Sequence, residues 1–226
     1  MEHKQAARQD TGKKRILIVD DHPILRKGLS MLINQEADLV VDGEAEDARR
    51  AMEMIDSMKP DMIIVDISLP GIDGIELLKM VRLRYPELPA LVVSMHDEAL
   101  FAERALRAGA RGYIMKQEAA ENVLTGIRRV LGGEIFVSNR VTTKIVEKFF
   151  DSGPGATSSP LDFLSDREFT VFQLIGQGFG TRQIADKLHL SVKTVESYRS
   201  HIKEKLKLES GTDLLKYAIQ WVQNNS

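Results

Sequence analysis

Five short apolar runs recur along the first half of the chain, and the stretches between them restrict the fold more than any other feature. The runs are Ile16–Val19, Leu39–Val41, Met62–Val65, Leu91–Ser94 and Tyr113–Met115. Each is short and rich in β-branched residues, as expected of a strand buried on both faces. Helical apolar spacing fills the gaps. Leu25, Leu29, Leu32 and Ile33 follow Pro23, which suits the first turn of a helix; Ala48, Ala51, Met52 and Ile55 precede Pro60; Ile75, Leu78 and Val81 come next. Glu98 to Ala108 is stopped by Gly109, and a last helix from about Glu118 to Leu131 is stopped by Gly132-Gly133. The second strand is expected to stop at Gly43. Such long crossovers exclude hairpins, so the strands should lie parallel with helices on both faces. The fold class is α/β, a doubly wound, five-stranded parallel sheet over residues 15–135.

The pattern then changes. Residues 1–14 are polar and charged and read as a flexible N-terminal arm. Residues 136–160 read as a linker containing a helix at Val141 to Phe150, followed by a Gly/Ser/Pro-rich stretch from Asp151 to Pro160. Residues 161–226 show only helical patterns and read as a small all-α domain of four helices. Ser165 and Glu168 form a capping box that opens the first, carrying Val171, Leu174 and Ile175. Thr181 is expected to cap the second, with Ile184, Ala185 and Leu188 inward. Ser191 caps the third, held on the core by Val195, Ile202 and Leu206. The fourth, from about Thr212 to Val222, is expected to pack through Leu215, Ile219 and Val222.

Composition narrows the function. A formal net charge of −2 argues against a polybasic membrane anchor or a general nucleic-acid coat. The absence of cysteine excludes disulfides and thiolate metal sites and suits a reducing cytoplasm. No secretory h-region is evident, and no apolar run approaches the ~20 residues that span a bilayer. A cytoplasmic protein without a membrane partner is expected.

The chemistry gathers at Asp66, which ends the third run before Pro70, Gly71 and Gly74 break the chain. In a parallel sheet the carboxyl ends of strands one and three share one edge, where open α/β sheets place their ligands. Asp20, Asp21 and Asp66 should therefore converge. Two carboxylates ~4 Å apart repel by about 4 kcal/mol at an effective dielectric near 20, so a proton or a cation must relieve them. All-oxygen ligation favours Mg²⁺, which binds one or two carboxylates together with phosphoryl oxygens. A carboxylate beside such an ion can attack phosphorus. Lys116 and Ser94 end strands five and four, where an ammonium and a hydroxyl can meet a phosphoryl oxygen.

In the C-terminal segment a short helix, a tight turn and a longer helix with a polar, partly basic face make a helix-turn-helix. The net charge over residues 161–226 is only about +1, from nine basic and eight acidic residues. From Ser191 to Leu208, however, five basic residues stand against two acidic ones. That asymmetry favours DNA over a mere packing module.

The motifs resemble two known families. Asp20-Asp21-His22-Pro23, Asp66 with Leu69-Pro70-Gly71-Ile72-Asp73-Gly74, Ser94, and Gly112-Tyr113-Ile114-Met115-Lys116 resemble the flavodoxin-like receiver domain of bacterial two-component response regulators. Leu164-Ser165-Asp166-Arg167-Glu168, Gln183-Ile184-Ala185 and residues 190–198 resemble the LuxR-type helix-turn-helix. Together they resemble a NarL/FixJ-type response regulator. The resemblance implies a phosphoryl group taken by Asp66 from a sensor histidine kinase. It implies Mg²⁺ held by Asp21, Asp66 and the backbone carbonyl of Ser68, with Asp20 acting mostly through water, and a switch pair in Ser94 and Tyr113. It also implies a double-stranded DNA operator and a phosphorylation-promoted homodimer. Glu196, Ser197 and Ser200 then fall at base edges, while Lys193, Thr194, Lys203 and Thr181 fall at phosphates. Many receivers carry Pro after the lysine, where this chain has Gln117. A cis bond there costs roughly 3 kcal/mol, which leaves that loop's geometry open.

Two alternatives compete. One is a Mg²⁺-dependent phosphotransferase or phosphatase working through an aspartyl phosphate; Ser68 stands where such an enzyme would have a second acid. The other is a DNA-binding protein whose receiver ignores phosphate. The favoured reading is a regulator and not a turnover enzyme.

Overall fold

The computed structural model describes residues 12–151 and 160–225. Residues 1–11 of the expected arm and 152–159 of the expected linker lie outside the described residues. The chain divides into two compact units, Met1–Val141 and Thr142–Ser226.

In the first unit, strands β1 (Lys14–Val19), β2 (Leu39–Ala45), β3 (Met62–Val65), β4 (Ala90–Ser94) and β5 (Gly112–Met115) form one parallel sheet in the order β2-β1-β3-β4-β5. Helices α1 (Pro23–Asn34), α2 (Ala48–Met58), α3 (Gly74–Arg84), α4 (Glu98–Ala108) and α5 (Ala119–Leu131) are the crossovers. Alternation along each strand assigns the two layers. Ile16, Ile18, Met62, Ile64, Leu91, Val93 and Ile114 pack with Leu29 and Ile33 of α1 and Val123, Ile127 and Val130 of α5. The intervening Leu17, Val19, Ile63, Val65 and Val92 are equally buried, on the side where α2, α3 and α4 adjoin one another and the sheet. Helices α2, α3 and α4 begin at an aspartate whose carboxylate accepts a backbone N–H of the first turn: Asp47 from Arg50, Asp73 from Glu76 and Asp97 from Ala99.

Strand β2 does not stop at Gly43. Ile16 pairs with Val41 but Leu17 with Gly43, so Asp42 is an extra residue absorbed by a bulge, and pairing resumes to Ala45. A Cβ on Gly43 would stand 2.5 Å from the Met54 methyl. The glycine marks close packing of α2, not a strand end. Beyond α5 the chain returns along β5: the Tyr113 N–H donates to the Phe136 carbonyl at 2.8 Å and the Phe136 N–H to the Arg111 carbonyl at 2.9 Å. This covers an otherwise open sheet edge. Helix α6 (Asn139–Asp151) follows.

The second unit contains α7 (Asp166–Gly176), α8 (Thr181–Lys187), α9 (Val192–Lys205) and α10 (Gly211–Asn225). The capping box at Ser165 forms as expected. Two expectations need correction. Thr181 is the first residue of α8 and not its cap; Gly180 takes that place, and the Gln183 side chain accepts its N–H at 2.9 Å. In α10 the fully buried residues are Leu214 and Ala218, while Leu215 is 40% exposed; Ile219 is half-buried, and Val222 packs on α7 as expected, its Cγ2 2.6 Å from where a Gly176 Cβ would stand. Helices α7 and α10 approach closely at small side chains: a Cβ on Gly176 would stand 2.4 Å from the Ala218 carbonyl oxygen. Trp221 lies edge-on to Phe169 and Phe172, with ring centroids 5.4 and 5.8 Å away.

Candidate functional site

Val19 pairs with Val65, so the strand register alone puts Asp20 beside Asp66. Both are 2% exposed, and the Asp66 N–H donates to the Val19 carbonyl at 2.8 Å. Lys116, the residue after β5, reaches past β4. Its Nζ lies 2.7 Å from Asp20 Oδ2 and 2.7 Å from Asp66 Oδ2. Burial pulls the ammonium's pKa down, but the Asp66 charge, hydrogen bonds to Asp20 and Asp66 and the Asp20 charge outweigh it. The lysine titrates above its ordinary value.

The other carboxylate oxygens have different neighbours. Asp20 Oδ1 accepts the His22 backbone N–H at 2.7 Å and stands 3.1 Å from His22 Nδ1. Asp21 Oδ1 is 2.6 Å from the same ring nitrogen, without hydrogen-bond alignment. Asp66 Oδ1 is buried and has no hydrogen-bond partner among the described residues. Asp20, Asp21, His22 and Asp66 can each offer one ligand atom within 4.8 Å of the others. The pocket is divided: Lys116 meets the Oδ2 atoms of Asp20 and Asp66, His22 meets the Oδ1 atoms of Asp20 and Asp21, and Asp66 Oδ1 is left buried without a partner among the described residues. A cation is the natural complement of that oxygen, since a buried carboxylate oxygen without a partner is costly.

The loop after Asp66 folds back tightly upon it. Gly71 has φ +73°, and a Cβ on Gly74 would stand 2.0 Å from the Asp66 carbonyl oxygen. Only glycine permits that approach.

Ser68, Ser94 and Tyr113 meet in an adjoining cluster around His96, which the sequence did not single out. Ser94 is fully buried, and its Oγ accepts the His96 N–H at 3.4 Å. The Tyr113 hydroxyl donates to the His96 carbonyl at 2.9 Å. Burial raises that phenol far above the ordinary tyrosine value, against the opposing effect of a Ser94 hydrogen bond. The Ser68 hydroxyl lies 3.0 Å from His96 Nε2, and the imidazole tilts over Phe101 with centroids 4.4 Å apart. The only sequence signal for His96 was an imidazole two residues beyond Ser94. His22 was equally visible, next to two acids, and equally unassigned. After Lys116 the chain enters a short 3₁₀ turn through Glu118, and no peptide bond among the described residues is cis.

The helix-turn-helix lies in the second unit. Between α8 and α9, His189 takes a left-handed conformation with φ 52°. Ser191 then caps α9, accepting the Thr194 N–H at 3.0 Å. Val195 and Ile202 are buried, so the opposite face presents Lys193, Glu196, Ser197 and Ser200, with Thr194 and Lys203 half-buried at its margins. Glu168 at the start of α7 fixes the far end of α9. It is 4% exposed, receives Lys205 Nζ at 2.6 Å and accepts the Ser165 N–H at 2.7 Å. Burial raises the Glu168 pKa, but the bonds from Lys205 and Ser165 outweigh it and hold the carboxyl below its ordinary value.

Comparisons with known proteins agree with both units. Residues 16–128 match the response regulator receiver domain and residues 162–218 the bacterial regulatory proteins of the luxR family. The oxygen regulatory protein NreC of Staphylococcus haemolyticus (strain JCSC1435) is 37% identical over 210 residues, 91% of this chain and 97% of that protein. The RcsB response regulator of Salmonella typhimurium is 28% identical, with a TM-score of 0.55 over 91% of this chain and 98% of that one. A structure of the RcsB–DNA complex gives 28% identity and a TM-score of 0.56 over 91% and 97%. A receiver joined to a LuxR-type helix-turn-helix, shared nearly end to end with such relatives, means that the chain belongs to the NarL/FixJ-type response regulators, the phosphorylation-dependent transcriptional regulators of two-component systems.

Proposed function

We propose that Asp66 is the phosphoacceptor and that a phosphohistidine on a sensor histidine kinase is its donor. The observation that carries this is the buried, unpartnered Asp66 Oδ1 on a carboxylate whose second oxygen is held by Lys116. An Asp66 oxygen forms the new bond to phosphorus as the phosphorus–nitrogen bond breaks, and the departing imidazole takes its proton from solvent. Asp20, Asp21, Asp66 and the backbone carbonyl of Ser68 would hold Mg²⁺, for which an oxygen donor set with retained waters is suited. Bound there, the ion neutralises charge gathering on the transferred group. Lys116 passes from the carboxylate to a phosphoryl oxygen. Ser94 donates to another and gives up the His96 N–H, while Tyr113 is already inward on the His96 carbonyl.

The modification adds roughly −1.5 to −2 charges and biases a two-state receiver, residues 15–135. The output is DNA binding by residues 161–226. Helix α9 enters the major groove, with Glu196, Ser197 and Ser200 at base edges and Lys193, Thr194, Lys203 and Thr181 at phosphates. Phosphorylation promotes a homodimer on a paired operator; RcsB, solved as two dimers on two parallel DNAs at 27% identity and a TM-score of 0.56, supports that reading. The site of action is the cytoplasm. The receiver assists its own phosphorylation and slow dephosphorylation without sustained turnover of other substrates.

The test is incubation of the full chain with Mg²⁺ and an acyl phosphate, followed by intact mass and gel filtration. One alkali-labile phosphoryl group, absent from Asp66→Asn, together with a shift to dimer, is expected. An unmodified chain would refute the assignment. Repeated hydrolysis of a small phosphoester would point instead to a Mg²⁺-dependent phosphatase.

A further inference from the structure

We infer that the hydrogen bond between Ser138 and Glu98 is a latch that phosphorylation opens, loosening the helix that leads out of the receiver. The inference rests on the proposed phosphorylation of Asp66 and deepens it by naming the contact through which that site reaches the linker.

The chain between α5 and α6 is held at two points. At the first, Phe136 is fixed to the sheet: the Tyr113 N–H donates to its carbonyl at 2.8 Å, and its own N–H donates to the Arg111 carbonyl at 2.9 Å. Its side chain packs on the core that α1 and α5 share with the sheet. At the second, two residues on, the Ser138 hydroxyl donates to Glu98 Oε1 at 2.6 Å, and its oxygen accepts the Val141 N–H at 3.2 Å. One hydroxyl thus ties the first turn of α4 to the first turn of α6. Val141 is 3% exposed, and the division between the two units falls directly after it, inside α6. The latch therefore holds the last residues of the first unit.

The two points answer to different parts of the receiver. Phe136 hangs on β5, whose ladder with β4 runs from Gly112 to Met115. Glu98 stands at the head of α4, where backbone N–H groups have no partner within the helix. That turn is set by Asp97, whose carboxylate accepts the Ala99 N–H at 2.8 Å. Asp97 follows His96, and His96 is bound to the switch pair: its N–H donates to Ser94 Oγ at 3.4 Å, and its carbonyl accepts the Tyr113 hydroxyl at 2.9 Å. When Ser94 turns to a phosphoryl oxygen, His96 loses the first of these bonds and the head of α4 is released. A hydroxyl–carboxylate bond needs about 2.5–2.7 Å, so a displacement of Glu98 by about 1 Å breaks the latch. Each residue that then leaves α6 lengthens the tether of the DNA-binding unit by about 2 Å, the difference between extended and helical rise.

The test is hydrogen–deuterium exchange of the full chain in Mg²⁺, with and without acetyl phosphate. Mass spectrometry follows the peptide around residues 138–146, while intact mass reports the adduct on the same samples. Losing one hydrogen bond should speed exchange roughly tenfold. That gain is expected in the parent on phosphorylation and in unphosphorylated Glu98→Ala, with the sheet peptides unchanged. Glu98→Gln keeps an acceptor oxygen and should exchange as slowly as the parent. Ser138→Ala should exchange at least as fast as Glu98→Ala, and phosphorylation should speed neither further. An adduct without faster exchange in the parent overturns the latch. So does slow exchange in Glu98→Ala, or a further rise in either alanine variant on phosphorylation. If Glu98→Ala loosens the sheet as well, Ser138→Ala and Glu98→Gln decide by the same criteria. A parent that takes no adduct refutes the phosphoacceptor reading itself, and the opening of the latch falls with it.

Discussion

Replacing Glu168 by Gln isolates what a buried charge contributes to holding the recognition helix. The variant keeps an oxygen for the Ser165 N–H, so the capping box survives, but the ion pair with Lys205 at 2.6 Å is lost. A hydrogen bond to a charged group is worth about 1.5–3 kcal/mol, and breaking a fully buried pair costs about 3–5 kcal/mol. The Lys205 side chain is 40% exposed, so its ammonium turns to water and the lower range applies, about 2 kcal/mol after that discount. The chain's single tryptophan, Trp221, packs on Phe169 and Phe172 in the same unit. Its fluorescence therefore reports unfolding of that unit within the intact protein. With a urea slope of about 1 kcal/mol/M for so small a unit, the midpoint should fall by about 2 M. The pH dependence supplies the sign. The folded Glu168 pKa lies below the ordinary 4.5, so its contribution is complete above that value and is lost as pH falls through the folded pKa. The gap between parent and variant should close in that acidic window. A gap below about 0.3 kcal/mol at neutral pH, less than most single-site effects, or one that stays constant into acid, would refute the reasoning.

Three further outcomes follow from particular contacts. Gly74→Ala, with its Cβ 2.0 Å from the Asp66 carbonyl oxygen, should destabilise the first unit by about 2–3 kcal/mol or more; far-UV circular dichroism during urea unfolding measures it, and a loss below 1 kcal/mol contradicts the close approach. Lys59 caps α2 at φ 50°, so Lys59→Gly should stabilise the same unit by about 1 kcal/mol, and a lowered midpoint would count against strain there. Lys203→Ala should weaken all DNA sequences alike and flatten the logarithmic salt dependence by about one unit; fluorescence anisotropy across salt concentrations checks this, and a loss confined to one sequence argues against a phosphate contact.

The sequence by itself determined the sheet, the crossovers and the acids. Apolar periodicity and chain order are local quantities, and parallel pairing then forces Asp20 and Asp66 to one edge because the residues before them, Val19 and Val65, are paired. The capping box at Ser165 was legible for the same reason: both of its bonds lie within one turn. What tertiary structure alone decided depends on close approach between distant segments. The β2 bulge at Asp42, Met54 packing on Gly43 and Gly176 meeting Ala218 are of this kind. No window of sequence contains either pair. His22 and His96 belong to the same class: their residue types were plain, but a ring's role is set by the direction it takes. Only the folded chain brings one imidazole against Asp20 and Asp21 and the other between Ser68 and Phe101.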